Sequence, residues 1–122
     1  MRILMIEDNE SNAYLARFLL ERRGHEVVVA PTGTEGVALA GASRYDLILL
    51  DLRLPDGDGC DFVPGLVSPD EPDPVPVIAV SAHALAADRV RAIEVGCRAF
   101  IEKPIDVTTF VDRIQEIAAA RS

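Results

Sequence analysis

Five short apolar runs punctuate this chain, and each gives way to charged, small polar or turn-forming residues before a segment with helical spacing begins. They are Ile3-Leu4-Met5-Ile6, Glu26-Val27-Val28-Val29-Ala30, Asp46-Leu47-Ile48-Leu49-Leu50, Val77-Ile78-Ala79-Val80 and Arg98-Ala99-Phe100-Ile101. Near-continuous apolar runs of this length are the mark of strands buried on both faces, as in parallel sheets covered by helices. The intervals between them hold a helix each time. The expectation is therefore five βα units in a doubly wound α/β domain with right-handed crossovers.

The helical segments differ in strength. Residues 10 to 23 place Tyr14, Leu15, Phe18 and Leu19 on one face, with Gly24 at the stop. A loop at Pro31, Thr32 and Gly33 leads to a weaker helix through Val37 and Ala40. Beyond Asp51, the run Leu54-Pro55-Asp56-Gly57-Asp58-Gly59 is dense in turn residues, and a helix starting near Gly59 has to accommodate Pro64 and Gly65, so it is expected to be short or kinked. Residues 68 to 76 carry four prolines and three acids and read as a solvated loop inside the domain. A fourth helix carries Leu85, Asp88, Val90, Ile93 and Val95 and stops at Gly96; a fifth, over residues 106 to 120, carries Val107, Phe110, Val111, Ile114, Ile117 and Ala118.

At 122 residues and 49% hydrophobic, the chain has the size of one compact domain, expected to span 1–122 with no separate output domain. Twenty acidic against twelve basic residues give a formal charge of -8, which disfavours direct nucleic-acid binding because phosphate contacts need cations. The first strand starts almost at once, without a leader pattern, and no apolar run approaches membrane-spanning length, so a soluble cytoplasmic protein with no membrane partner is expected. Cys60 and Cys97 lack metal-ligand spacing and read as small buried hydrophobes, and His25, in a Gly24-His25 turn, reads as solvated.

The chemistry gathers at the strand ends. Ligands of open parallel sheets bind beyond the carboxyl ends of the strands, where Glu7, Asp8 and Asp51 would converge. Three anions so close repel one another unless a divalent cation joins them. Hard oxygen donors few in number favour Mg²⁺, with Mn²⁺ as the possible substitute. Asp51 can then act as a nucleophile on phosphorus, Lys103 can supply a point charge to phosphoryl oxygens, and Ser81 can donate a hydrogen bond to them. Arg53 and His83 each lie two residues past a central site residue, so they should flank the phosphoryl group and tune its lifetime. Each residue has a plainer reading: Asp8 or Asn9 as a cap of the first helix, Ser81 as a cap of the fourth, Lys103 as a solvated charge. Their joint placement at strand ends decides for the site.

The motifs Glu7-Asp8-Asn9, Asp51-Leu52-x-Leu54-Pro55 with Gly59, Ser81-Ala82 and Phe100-x-x-Lys103-Pro104 closely resemble, in order and spacing, those of the response-regulator receiver domain, and the resemblance covers the whole chain. The chain is similar to single-domain chemotaxis and cell-cycle regulators, and its segment from Val80 to Ile105 looks most like single-domain cell-cycle and hybrid-kinase receivers. The resemblance implies a flavodoxin-like (βα)5 fold with strand order 2-1-3-4-5. It also implies Asp51 as phosphoacceptor, Asp8 and Asp51 as direct metal ligands, Glu7 as a ligand through water, and the Arg53 backbone carbonyl as a further ligand. Lys103, Ser81 and the Ala82 amide would hold the phosphoryl group, and the Lys103-Pro104 bond would be cis. Ser81 and Phe100 would form a switch that alters the face made by the fourth helix, fifth strand and fifth helix.

Function then reads as a phosphoacceptor switch of a two-component or phosphorelay system. Its partners would be a histidine kinase or histidine phosphotransfer protein and a downstream protein target, and it would act as a monomer or weak dimer. It would assist only its own phosphorylation and dephosphorylation. One alternative is a receiver excised from a hybrid kinase or larger regulator. A flavodoxin-like cofactor binder would need hydroxyls and glycines where Glu7-Asp8-Asn9-Glu10-Ser11 stands, and an aspartyl-nucleophile phosphatase would need a second acid where Arg53 stands.

Overall fold

A computed structural model describes residues 1–68, 70–82 and 85–120. Strands β1 (Arg2–Ile6), β2 (Glu26–Ala30), β3 (Leu47–Asp51), β4 (Val77–Ser81) and β5 (Ala99–Glu102) form one parallel sheet in the order β2-β1-β3-β4-β5. The helices are α1 (Glu10–Glu21), α2 (Gly33–Ala42), α3 (Val63–Leu66), α4 (Ala86–Val95) and α5 (Phe110–Ala119). This is the flavodoxin-like arrangement, with the expected strand order.

Alternation along each strand splits the core into two layers. Ile3, Met5, Leu47, Leu49, Ile78, Val80 and Ile101 pack with Ala13, Ala16 and Leu20 of α1 and Phe110, Val111 and Ile114 of α5. Leu4, Ile6, Ile48, Leu50, Val77, Ala79 and Phe100 pack on the opposite side with Val63 and Leu66 of α3 and Ala92 of α4, and both free cysteines are buried there. Every residue of β3 is buried, as a central strand covered on both faces requires.

The turn-dense loop after β3 is more ordered than its composition suggests. Arg53–Leu54 pairs antiparallel with Gly57–Asp58, and a 3₁₀ turn over Gly59–Phe62 leads into α3. Pro64 falls in the first turn of that helix, where its missing N–H costs nothing, and the helix is four residues long.

Helix α1 buries Ala13, Ala16 and Leu20, with Leu19 partly packed on the same layer, while Tyr14 and Phe18 are 73% and 48% exposed. Two expectations are corrected. The last helix starts at Phe110 rather than 106, because the Asp106 carboxylate accepts from the Thr108 amide at 2.9 Å and closes a turn there, leaving Val107 exposed. His25 is half-buried instead of solvated: its ring bonds the Met1 amino group at 2.8 Å and the Gln115 side chain at 2.9 Å, tying the sheet edge to α5.

Candidate functional site

Register brings the acids together. Ile6 pairs with Leu50, so the next residues, Glu7 and Asp51, emerge side by side at the ends of β1 and β3. Both continue the alternation of Met5 and Leu49 and point toward the α1/α5 layer. Lys103 follows Ile101 with the same parity, and its amide donates to the Ser81 carbonyl at 2.9 Å, placing it just past the end of β5. Its ammonium reaches Glu7 Oε1 at 2.5 Å and Asp51 Oδ2 at 3.3 Å. Lys103 is therefore a paired, partly buried cation, and the reading of a solvated charge fails.

Glu7, Asp8 and Asp51 each offer a carboxylate oxygen within 4.8 Å of the others. One ammonium against three carboxylates leaves excess negative charge in a partly dry site. Asp51 Oδ1 accepts from the Arg53 amide at 3.1 Å, whereas Glu7 Oε2 is buried without a hydrogen-bond partner. Leaving such an oxygen unsatisfied costs about 1–3 kcal/mol. Beneath the cluster lies an apolar cavity of about 100 Å³ whose walls include Met5, Leu15, Ala16, Leu49 and Phe110. Burial against these walls, then the hydrogen bond and charge of Asp51, push the Glu7 carboxyl up from 4.5 to about 7, with Lys103 offsetting only part. The donor set, its surplus charge and the orphaned Glu7 oxygen all fit a hard divalent cation.

Ser81 and Phe100 lie on the other face. Ala79 pairs with Phe100, and Ser81, two residues on, shares that face of the adjacent strand. Both are buried, and the Arg89 guanidinium covers the Phe100 ring at 4.8 Å. Ser81 ends a strand and does not cap α4, whose N-cap is Leu85. Asn9 does cap α1, accepting from the Asn12 amide at 3.0 Å. Ala82 sits in an exposed bend, the Arg53 side chain is exposed, and the Lys103-Pro104 peptide is cis. His83 lies outside the described residues.

The sequence shows Asp56 and Asp58 only as turn formers, and Gly59 as a turn former within the receiver motif. Asp56 caps α2 across the loop, accepting from the Gly33 and Thr34 amides at 2.9 Å each, and the Thr34 bonds hold its carboxyl down at about 2. Asp58 caps the 3₁₀ turn through the Cys60 amide at 2.9 Å. Gly59 lies against β3 so closely that an added Cβ would stand 2.4 Å from the Asp51 carbonyl oxygen and 2.8 Å from Leu52 Cα. Neither backbone atom can yield without moving Asp51. Gly59→Ala is expected to cost about 1–3 kcal/mol in a urea titration and to slow modification of Asp51 on the order of tenfold or more in an intact-mass time course.

Residues 3–115 match the family model of the response regulator receiver domain. The chain belongs to that family. It is 41% identical over 113 residues to the polar-differentiation response regulator DivK of Brucella anthropi, covering 93% of this chain and 92% of the relative. Among solved structures, the non-phosphorylated HemR receiver domain of Leptospira biflexa is 33% identical with a TM-score of 0.87, over 99% of this chain and 96% of the other. The receiver domain of a Pseudomonas aeruginosa sensor histidine kinase is 30% identical with a TM-score of 0.86, over 98% of both chains, and that structure has a magnesium ion coordinated in its active-site cleft. As in two-component receivers generally, this receiver domain is a signalling domain. No helix among the described residues is long and apolar enough to cross a membrane.

Proposed function

We propose that this receiver domain is a phosphoryl-operated switch in which the Asp51 carboxylate takes a phosphoryl group from a phosphohistidine. The convergence of Asp51, Glu7 and Lys103 at the ends of β1, β3 and β5 carries this reading. In the transfer, an Asp51 oxygen forms the new P–O bond as the P–N bond to the donor imidazole breaks, and the product is an acyl phosphate. Lys103 lies within reach of the incoming phosphoryl oxygens and offsets their charge as its contact with Asp51 is given up. Asp8, Asp51, Glu7 and the Arg53 carbonyl would hold Mg²⁺, which, when bound, neutralises charge on the transferring group. The Ser81 hydroxyl and Ala82 amide would receive the phosphoryl oxygens, with Arg53 and His83 at the rim setting access of water. Phe100, on the Ser81 face, would carry the change to the α4, β5 and α5 surface for output by protein contact in the cytoplasm.

Intact mass after incubation with acetyl phosphate tests this. One phosphoryl adduct per chain is expected with Mg²⁺ and none after chelation. An adduct that forms equally without metal, or a protein that never gains one in the presence of either Mg²⁺ or Mn²⁺, removes the reading.

The donor histidine has to come within bonding distance of Asp51, so its carrier covers the rim of the site. Leu15 lines the cavity below Asp51 and is itself 38% exposed, and the Tyr14 and Phe18 rings stack beside it at 6.4 Å between centroids. A phosphohistidine protein with an apolar surface beside its histidine is the partner this face suits. Phe18→Glu is expected to slow transfer from a phosphohistidine protein about tenfold while leaving labelling by acetyl phosphate unchanged, as followed by gel autoradiography and intact mass.

A further inference from the structure

Helix α4 has little apolar anchoring. Of its residues only Ala92 is buried, while Val90 and Ile93 are more than half exposed. Two arginines supply much of its attachment to the described residues. Arg89 covers Phe100 and pairs with Glu102 at 3.1 Å on β5. Arg91 points the other way: one guanidinium nitrogen donates to Asp58 Oδ2, and the other to Asp61 Oδ1 at 2.9 Å.

The second attachment leads to Asp51. The other oxygen of Asp58 accepts from the Cys60 amide at 2.9 Å, so the carboxylate is fixed at the start of the 3₁₀ turn. The intervening Gly59 donates its amide to the Leu52 carbonyl at 2.9 Å and lies directly on the Asp51 backbone. Arg91 and Asp58 thus border a cleft of about 350 Å³ that is lined also by Arg53, Ser81 and Asp88. Exposed ion pairs add little to global stability. A forked guanidinium on two carboxylates nevertheless fixes direction as well as distance, and here it fixes a lightly packed helix to the loop that packs on the Asp51 backbone.

We propose that Arg91 is a positioning residue: its clamp on Asp58 and Asp61 couples α4 to the Asp51 backbone through Gly59, a route separate from Ser81 and Phe100. Charge and bulk added at Asp51 press on the Gly59 contact, and the clamp passes that displacement to α4. By linkage, whatever binds the α4 surface biases Asp51 through the same contacts. The inference rests on Asp51 being the phosphoacceptor.

Amide chemical shifts measured with and without beryllofluoride and Mg²⁺ test it in wild type, Arg91→Ala, Asp58→Asn and the double variant. Asp58→Asn retains an oxygen for the Cys60 amide while removing the charge that Arg91 grips. In wild type, beryllofluoride is expected to shift Leu52 and Arg53 and also residues 90–95. Both single variants should keep the shifts at Leu52 and Arg53, yet lose roughly half or more of those in α4, and the double variant should lose no more than the larger single loss. Equal α4 shifts in wild type and both variants, or losses that simply add in the double variant, overturn the coupling. A wild-type protein that shows no response at Leu52 and Arg53 instead overturns the phosphoacceptor reading, and the coupling with it.

Discussion

Asp51→Asn will gain no phosphoryl adduct from acetyl phosphate and Mg²⁺, while the wild-type chain gains one, and the variant will remain folded. The carboxamide has no anionic oxygen with which to attack phosphorus, so the loss is complete and not graded. Retention of the fold follows from the contacts that survive. An asparagine oxygen still accepts from the Arg53 amide, and the Lys103 ammonium keeps its 2.5 Å contact with Glu7, losing only the longer one to Asp51. Removing one of three crowded carboxylates also relieves repulsion, and Glu7, whose carboxyl the Asp51 hydrogen bond and charge help to hold up, becomes more acidic. The checks are intact mass and a thermal melt on the same sample. An adduct on a folded Asp51→Asn chain would move the acceptor to a neighbouring acid and undo the assigned roles of Lys103 and Ser81.

How far the sequence reached depends on which forces are local. The buried strands were legible because a strand covered on both faces can be little but apolar, and their order followed once the strand-end motifs matched a family. The meeting of Glu7, Asp51 and Lys103 was legible as a position, but its parity was not, because the shared direction of the three side chains comes from the register of β1 against β3 and of β4 against β5. Helix α1 shows a related limit. Spacing finds a stripe of large apolar residues, yet only packing against the sheet selects Ala13, Ala16 and Leu20 for burial and leaves Tyr14 and Phe18 outside. His25 and Arg91 were opaque because each is defined by residues far along the chain, Gln115 and Asp58, and the motif marks Gly59 without showing that it lies against the Asp51 backbone. No local pattern marks such contacts. Asp106 was open to reading, since an Asx turn starting a helix late has its own signal in Asp-x-Thr.

The metal-free protein should lose stability as pH rises from about 5 to about 8 through Glu7, and Glu7→Gln should abolish that loss. Glu7 titrates at an ordinary 4.5 when unfolded and at about 7 in the fold, chiefly because burial opposes its charge. Between those values the folded state holds a proton that the unfolded state has released. Its contribution is therefore fully present below 4.5 and is lost as pH climbs through the folded value, the reverse of a salt-bridged carboxylate. The whole displacement corresponds to on the order of 3 kcal/mol, and Glu7 is only 6% exposed, so solvent screening does little to reduce it. Urea titrations in chelator at both ends of the range read the effect. Wild type and Glu7→Gln should be similar at the acid end, and the variant should be the more stable at the alkaline end, because glutamine fills the same space without acquiring charge beside Asp51. The gain has a functional cost: the charge that destabilises the metal-free fold is the charge that would draw a divalent cation to it, so the stabilised variant should also require more Mg²⁺ to be labelled. A Glu7→Gln protein with an unchanged pH slope would mean that Lys103 already neutralises Glu7 in the fold, and the case for surplus charge at this site would fall with it.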